Sequence, residues 1–195
     1  MRDCGALRET AGAFLTALVL NRERQDAFQE GVCTNELGRL LAETGNRVPA
    51  QIVLRRSRQI FIDRADPQGE GIASAYFAEL ASWIGDLDMA SKWAERAWEL
   101  GVSARNTRDV IRAALLQGQV ALVVGEWSCA DERLHHALAR ARAVGLVDFE
   151  LPALIAIAGL DLKRGDRPRA RATVTRRPGV RSPGCRDRPS ICLWG

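Results

Sequence analysis

The two histidines of this chain, His135 and His136, are the first candidates for acid–base chemistry or metal binding. They are adjacent, so on a helix their side chains point about 100° apart and cannot share a metal ion. Glu132 precedes His136 by four residues, which favours a pair on one helix surface. Neither a third ligand nor a nucleophile occurs at a matching spacing. The pattern therefore predicts no catalytic residue, no metal site and no cofactor.

The cysteines are odd in number and scattered, without the CxxC or Cys/His spacing of a zinc site. Two of them, Cys33 and Cys129, fall inside predicted helices, which argues against a disulfide framework and favours a reducing cytoplasm. The apolar runs at residues 13–20 and 151–160 are shorter than the roughly 20 residues that span a bilayer. No membrane segment is expected. The five cysteines are Cys4, Cys33, Cys129, Cys185 and Cys192.

The net charge of +4 is unevenly distributed. Residues 166–195 hold eight Arg and two Asp, a net charge of +6, so the remaining 165 residues carry −2. Nucleic-acid binding is therefore not expected, except weakly through the basic C-terminal segment. A second basic cluster has no aromatic residues interleaved, and we interpret it as a solvated helix face. It consists of Arg55, Arg56, Arg58 and Arg64.

The helices that carry the residues discussed above are predicted from a sequence pattern that recurs every 40 residues. Gly85 followed by Asp86 predicts a helix that ends in the left-handed conformation and a second helix capped by the aspartate. Ala90 follows five residues after the glycine. The same arrangement recurs at Gly45, Gly125 and Gly165. Small residues precede the glycines by seven positions (Gly38, Ala78, Gly118, Ala158), and apolar residues follow by nine (Leu54, Ala94, Leu134, Val174). A fixed period between 20 and 50 residues is typical of a solenoid.

The pattern resembles the tetratricopeptide repeat (TPR), which has a small residue in helix A, a glycine at the A–B turn, and small, bulky and small residues down helix B. The period of 40 exceeds the usual 34, and the large aromatic of helix A is missing. Asp161 also stands where an apolar or aromatic residue is usual. The resemblance implies an all-α fold, a TPR-like α-solenoid in which antiparallel helix pairs form a right-handed superhelix. The matching residues are Gly38, Gly45, Ala50, Leu54 and Ser57 in the first full copy, Ala78, Gly85, Ala90, Ala94 and Ala97 in the second, and Gly118, Gly125, Ala130, Leu134 and Ala137 in the third.

We expect three segments. Residues 1–21 form a partial repeat with helix B only, and residues 22–175 form about four repeats whose A–B turns lie at the four glycines. Residues 176–195 form a disordered Arg/Pro-rich tail, either an out-of-frame or truncated end or a genuine basic tail. Further domains of the same polypeptide are expected before and after this chain. We also predict a turn over residues 63–70 and a capping box formed by Ser128 and Asp131.

The TPR resemblance implies a concave groove, lined by the A helices, that binds a protein or peptide. The groove is expected to be polar at the first A helix and apolar at the third and fourth. Glu79 argues against a clamp for a C-terminal carboxylate. The apolar end either holds a partner helix or is covered by later repeats. The predicted partner-binding residues are Asn35, Arg39, Ala75, Glu79, Ser82, Leu115, Gln119, Leu122, Ile155 and Leu162.

The long period and the sequences at residues 134–140 and 143–160 resemble the sensor arms of large bacterial STAND ATPases and transcriptional activators, including the maltose-operon activator type. This resemblance implies a non-catalytic, cytoplasmic protein–protein interaction scaffold, a fragment of the regulatory arm of a larger signalling or transcription regulator. The main alternative is an arm that senses a small-molecule inducer. An enzyme and a DNA-binding regulator are weaker alternatives, because the chain has no Gly-rich phosphate loop, no nucleophile–base pair and no separate helix-turn-helix.

Overall fold

The computed structural model describes residues 4–175, and this part of the chain is entirely α-helical outside its short turns. The all-α prediction is confirmed. The expectations for residues 176–195 lie outside the described residues. The helices are α1 Cys4–Glu23, α2 Ala27–Glu43, α3 Arg47–Asp63, α4 Pro67–Ile84, α5 Leu87–Ser103, α6 Thr107–Val124, α7 Trp127–Val144, α8 Val147–Lys163 and α9 Arg167–Thr175.

Every connection between consecutive helices has the same form. Eight of the residues between 4 and 175 have positive φ, at 20-residue intervals from Gln25 to Gly165. At Gly85 φ is 83°, and the next amide, of Asp86, donates to Ala81 O at 3.0 Å, which closes the helix with a Schellman motif. The Asp86 carboxylate then accepts from Met89 N at 3.1 Å and caps the following helix, as predicted. One helix with its turn thus occupies 20 residues, and two make the 40-residue repeat.

Two local predictions are wrong. The turn predicted over residues 63–70 is confined to residues 64–66, since α4 already begins at Pro67. Proline is well suited to the first helical position, and Asp66 caps this helix by accepting from Gly69 N at 3.0 Å. The capping box at Ser128 also does not form. Helix α7 begins one residue earlier, and the carboxylate of Asp131 accepts a hydrogen bond from Arg164 at 2.8 Å.

The turn residues of the repeat differ in how well they suit the left-handed conformation. Ala65 has φ 51°, a conformation that costs a residue with a Cβ atom about 1–2 kcal/mol. We expect Ala65→Gly to raise the free energy of unfolding by about 0.5–1 kcal/mol. The matched reverse change, Gly85→Ala, should lower it by about 1 kcal/mol, because an added Cβ meets nothing within 4 Å and only the backbone is strained. Urea denaturation measures both variants, and changes of the same sign would contradict this explanation.

The helices contact only near neighbours in the described part of the chain. Each helix packs against the next one, and the even-numbered helices also contact each other, α2 with α4, α4 with α6, and α6 with α8. The backbones of the odd-numbered helices in this part do not approach one another. These helices meet through long side chains instead, such as Arg58 of α3 over Trp93 of α5 and Trp98 of α5 against His136 of α7. The even-numbered helices therefore lie closer together than the odd-numbered ones. We call the surface that they form the even-helix face.

Small residues set the distance between the two helices of a hairpin. A Cβ atom added at Gly118 would lie 2.6 Å from Leu134 Cγ, and one at Gly38 would lie 2.6 Å from Leu54 Cδ2. The hairpin of α4 and α5 has alanines in both corresponding positions, and these pack in one core cluster. The predicted small positions are therefore points of close helix approach, with glycine opposite leucine or alanine opposite alanine.

Candidate interaction surfaces

The predicted partner-binding residues divide into three groups by exposure. Asn35, Ala75 and Leu115 are at most 7% exposed, so they lie in the helix packing. The accessible part of the even-helix face comes from the other two groups, and their role in binding stays a prediction. Arg39, Glu79, Ser82, Gln119 and Leu122 are half-buried, whereas Ile155 and Leu162 are exposed.

A network of polar side chains links the first three even-numbered helices. Arg39 pairs with two acids of its own helix, Glu36, at 3.0 Å from Nε to Oε2, and Glu43. The Tyr76 hydroxyl of α4 donates to the other oxygen of Glu36 at 3.0 Å. The Arg112 guanidinium of α6 lies 5.5 Å from the centre of the Tyr76 ring, which is within cation–π range. This end of the even-helix face is polar.

Glu79 lies beside this network but forms neither a hydrogen bond nor an ion pair with the described residues. Burial raises the pKa of its carboxyl group to about 6. The positive charges of Arg112 and Arg39 lower the pKa of Glu79, and Arg112 has the larger effect. The negative charges of Glu43 and Glu36 raise it. A carboxyl group that titrates near neutral pH therefore lies among the predicted groove residues.

The raised pKa of Glu79 predicts how stability depends on pH. Because the folded-state pKa of about 6 exceeds the ordinary value of 4.5, folding takes up a proton between these values, and the resulting stabilisation is lost as pH rises through 6. At pH 7.5 we expect Glu79→Gln to be more stable than the wild type by about 1 kcal/mol, after allowance for partial exposure. Denaturant titrations should show a smaller gain at pH 4.5. The raised pKa of Glu79 would be contradicted by an equal gain in stability at both pH values, or by a similar gain for Glu132→Gln on the exposed surface of α7.

The other end of the even-helix face is apolar. On α8, Leu151, Ile155 and Leu162 are 54%, 58% and 57% exposed. At the positions 40 residues earlier, Ile111 and Leu115 of α6 are 0% and 7% exposed and belong to a core cluster that includes residues of α8. Leu151 and Ile155 therefore occupy positions that are covered, in the preceding repeat, by the next even-numbered helix.

Buried acids form a second 40-residue series, which the sequence analysis missed. Glu70 is 7% exposed, and its Oε1 lies 2.8 Å from Arg58 and 3.3 Å from Arg96. It thereby joins α3, α4 and α5. Glu30 and Glu150 occupy the same register and are also buried in ion pairs with arginines. The signal for this series in the sequence is a glutamate at residues 30, 70 and 150. In the third copy, Val110 stands at the corresponding position.

The histidines occupy packing and surface positions. The His136 ring lies edge-on to Trp98 with centroids 5.5 Å apart, and its buried Nδ1 has no hydrogen-bond partner in the described part of the chain. Burial, and then the charges of Arg140 and Arg133, lowers the pKa of His136. The expected pair of Glu132 with His136 does not form. Instead His135 Nδ1 lies 2.8 Å from Asp131 Oδ1 on the same helix. No group of three potential metal ligands occurs among the described residues.

The arginines of the predicted basic cluster on α3 and the following turn have separate environments. Arg56 lies 3.5 Å from Glu30 and Arg58 lies 2.8 Å from Glu70. Arg64 lies over the ring of Phe28, at 5.8 Å. Arg55 is exposed and makes no hydrogen bond or ion pair with the described residues. The cluster is therefore not a single uncompensated patch, which weakens the nucleic-acid alternative further.

A comparison with models of known protein families gives no match. A comparison with curated proteins likewise gives no match. None of the helices between residues 4 and 175 combines the length and the hydropathy that a membrane crossing needs. Any assignment of function therefore depends on the sequence pattern and on the geometry of the surfaces described above.

Proposed function

We propose that this chain is a non-catalytic protein-interaction scaffold, a TPR-like solenoid whose even-numbered helices form the concave wall of a right-handed superhelix. The 40-residue period and the restriction of contacts to near neighbours support a stacked row of hairpins. The contacts among even-numbered helices favour curvature towards their side, because the odd-numbered helices are spaced further apart. Interaction surfaces of this kind are a common use of curved solenoids.

Within this class, we propose a fragment of the sensor or regulatory arm of a larger bacterial signalling or transcription regulator. The long period and the resemblance at residues 134–140 and 143–160 support this narrower assignment. On this proposal the chain acts in the cytoplasm, and its role is to bind a protein or peptide and to influence a switch domain elsewhere in the regulator.

The partner that the apolar end of the even-helix face fits best is an amphipathic helix. Leu151, Ile155 and Leu162 are spaced i, i+4 and i+11 on α8, which places them on one side of the helix. A partner helix laid along them would pack against α8 as α8 packs against α6, where the positions equivalent to Leu151 and Ile155 are buried. This exposed aliphatic stripe is the observation that carries the proposal.

The proposal can be tested with peptides selected against the full chain from a phage library of random 20-residue sequences. A selected peptide is then synthesised and titrated by fluorescence anisotropy. We expect Ile155→Glu to weaken binding at least 30-fold, because it places a charge in an apolar contact. The matched control is Ile52→Glu on α3, where the isoleucine is 63% exposed, and it should leave binding unchanged. Selected peptides that are insensitive to Ile155→Glu would overturn the proposal.

A further inference from the structure

Three clefts of the same register lie on the side opposite the even-helix face. Each one lies between two successive odd-numbered helices, whose backbones do not contact each other, and has an even-numbered helix as its floor. The first, between α3 and α5, has a volume of about 540 Å³. The second and third, between α5 and α7 and between α7 and α9, have volumes of about 200 and 170 Å³. Of these three, the first alone reaches the range of roughly 300–1,000 Å³ that is typical of small-molecule sites.

A hydrogen bond narrows the second cleft and has no counterpart in the first. Gln117 on the floor of the second cleft donates from Nε2 to Glu95 Oε2 on its wall, at 2.6 Å. The corresponding residues of the first cleft are Phe77 and Arg55, which cannot form this bridge. The first cleft therefore stays open between its floor and its α3 wall.

One wall of the first cleft carries hydrogen-bond donors. Gln51, Arg55 and Gln59 follow each other at intervals of four residues along α3 and line the cleft. The Arg55 guanidinium has no partner among the described residues, whereas the Gln59 amide already donates to Asp63 at 2.7 Å. The acid among the lining residues, Asp86, is engaged in capping α5. The cation available to a ligand is therefore Arg55, and the Gln51 amide lies one turn before it.

The floor and the opposite wall of the first cleft are apolar and closely packed. Phe77 and Leu80 of the floor are 6% and 1% exposed. Trp93 on the α5 wall stacks on Phe77, with centroids 4.9 Å apart and planes inclined by 21°. Arg58, fixed by its ion pair with Glu70, lies 5.2 Å from the centre of the Trp93 ring. The indole is thus held in place before any ligand arrives, which reduces the entropy lost on binding.

We propose that the cleft between α3 and α5 is a binding site for a small organic anion with an apolar body. The anionic group, a carboxylate, is bound by the Arg55 guanidinium and the Gln51 amide. The apolar body lies against Leu80, Met89 and Trp93. The site is on the opposite side of the molecule from the proposed partner-binding face, so it does not depend on that proposal.

The second cleft provides an internal comparison, because it has the opposite polarity at the same positions. Ser91 and Glu95 stand there in place of Gln51 and Arg55, and Arg133 stands in place of Trp93. Its α5 wall therefore presents a carboxylate where the first cleft presents a free guanidinium, and it has no aromatic surface at the opposite wall. An anion that binds the first cleft should be rejected by the second.

The test uses isothermal titration of the full chain with naphthalene-2-acetate, with 2-(naphthalen-2-yl)ethylamine as the cation of the same ring system and octanoate as the aliphatic acid. We expect the aromatic acid to bind at least tenfold more tightly than the amine. Arg55→Glu, which copies the second cleft at an exposed position, should weaken binding of the acid at least tenfold. Arg140→Glu makes the same charge change on exposed surface outside the cleft and should have no effect. Binding of octanoate as tight as that of the aromatic acid would still support the site and would assign an aliphatic ligand.

Two further results decide the proposal. The indole ¹H–¹⁵N signal of Trp93, assigned by its loss in Trp93→Phe, should shift on addition of naphthalene-2-acetate. Thermal melts should show that Arg55→Glu remains folded. Equal binding of the acid to the wild type and to Arg55→Glu, equal binding of acid and amine, or no binding at millimolar concentrations would overturn the proposal.

Discussion

Glu70→Ala is expected to lower the free energy of unfolding by about 2–3 kcal/mol. The Glu70 side chain is 10% exposed and is the ion-pair partner of Arg58, at 2.8 Å, and of Arg96, at 3.3 Å. Removing one member of a buried pair leaves a charge without compensation, at a cost of about 3–5 kcal/mol when burial is complete. We expect less here because both guanidinium groups are partly exposed. The Nε of Arg58 is nevertheless buried without a partner, so this side chain cannot simply move into water.

Glu99→Ala is the matched control for this change. Glu99 also pairs with Arg96, at 3.2 Å, but its side chain is 57% exposed. Exposed ion pairs of this kind contribute about 0.2–1 kcal/mol, so the loss should be under about 1 kcal/mol. Urea denaturation of the two variants in the same buffer measures the difference. Equal losses would show that Glu70 does not hold successive hairpins together.

Gly118→Ala is expected to lower the free energy of unfolding by about 2–3 kcal/mol. The added Cβ would lie 2.6 Å from Leu134 Cγ and 3.2 Å from Leu134 N. A rotation of the leucine side chain cannot relieve the second contact, so the two helices must move apart. Gly12→Ala on α1 is the control, because a Cβ there meets nothing within 4 Å. It should raise the free energy of unfolding by up to about 1 kcal/mol through helix propensity.

The corresponding pair in the preceding hairpin indicates how this loss can be reversed. Ala78 and Ala94 are both fully buried and occupy the positions of Gly118 and Leu134. Leu134→Ala alone should cost about 3 kcal/mol, because the leucine is fully buried. The double variant Gly118→Ala/Leu134→Ala should be more stable than the sum of the single losses predicts, by about 2 kcal/mol. Additive losses would show that the two residues are not in contact as described.

The parts of the fold that could be predicted from the sequence are those fixed by backbone geometry. A helix must end left-handed at Gly85 and be capped at Asp86, and two helices must approach closely at Gly118, so these positions accept few residue types. The connections between repeats have the same left-handed geometry, but of this geometry the sequence predicts only a turn over residues 63–70, without its left-handed residue. At three of them the residue is Gln25, Ala65 or Arg105 in place of glycine, so the usual signal is absent.

The surfaces were harder to predict because their properties depend on residues that are distant in the sequence. The sequence predicts that Asn35, Ala75 and Leu115 line a groove, but in the structure the following even-numbered helix covers these positions. The raised pKa of Glu79 depends on burial and on charges of α2 and α6, which no local pattern reveals. The open cleft beside Arg55 likewise depends on a bridge that Gln117 and Glu95 form only in the next copy.

The most direct test of the stacked row of hairpins is a set of distances between exposed sites 40 residues apart. Ile52, Lys92 and Glu132 lie at equivalent exposed positions on α3, α5 and α7. Spin labels can be attached there through introduced azidophenylalanines, since the chain has five cysteines of its own. In pulsed electron–electron double resonance, a row of repeats that contact only their neighbours should give a 52–132 distance at least about 1.5 times either the 52–92 or the 92–132 distance. A 52–132 distance no longer than the single-step distances would mean that the helices close into a globule, and it would contradict this account.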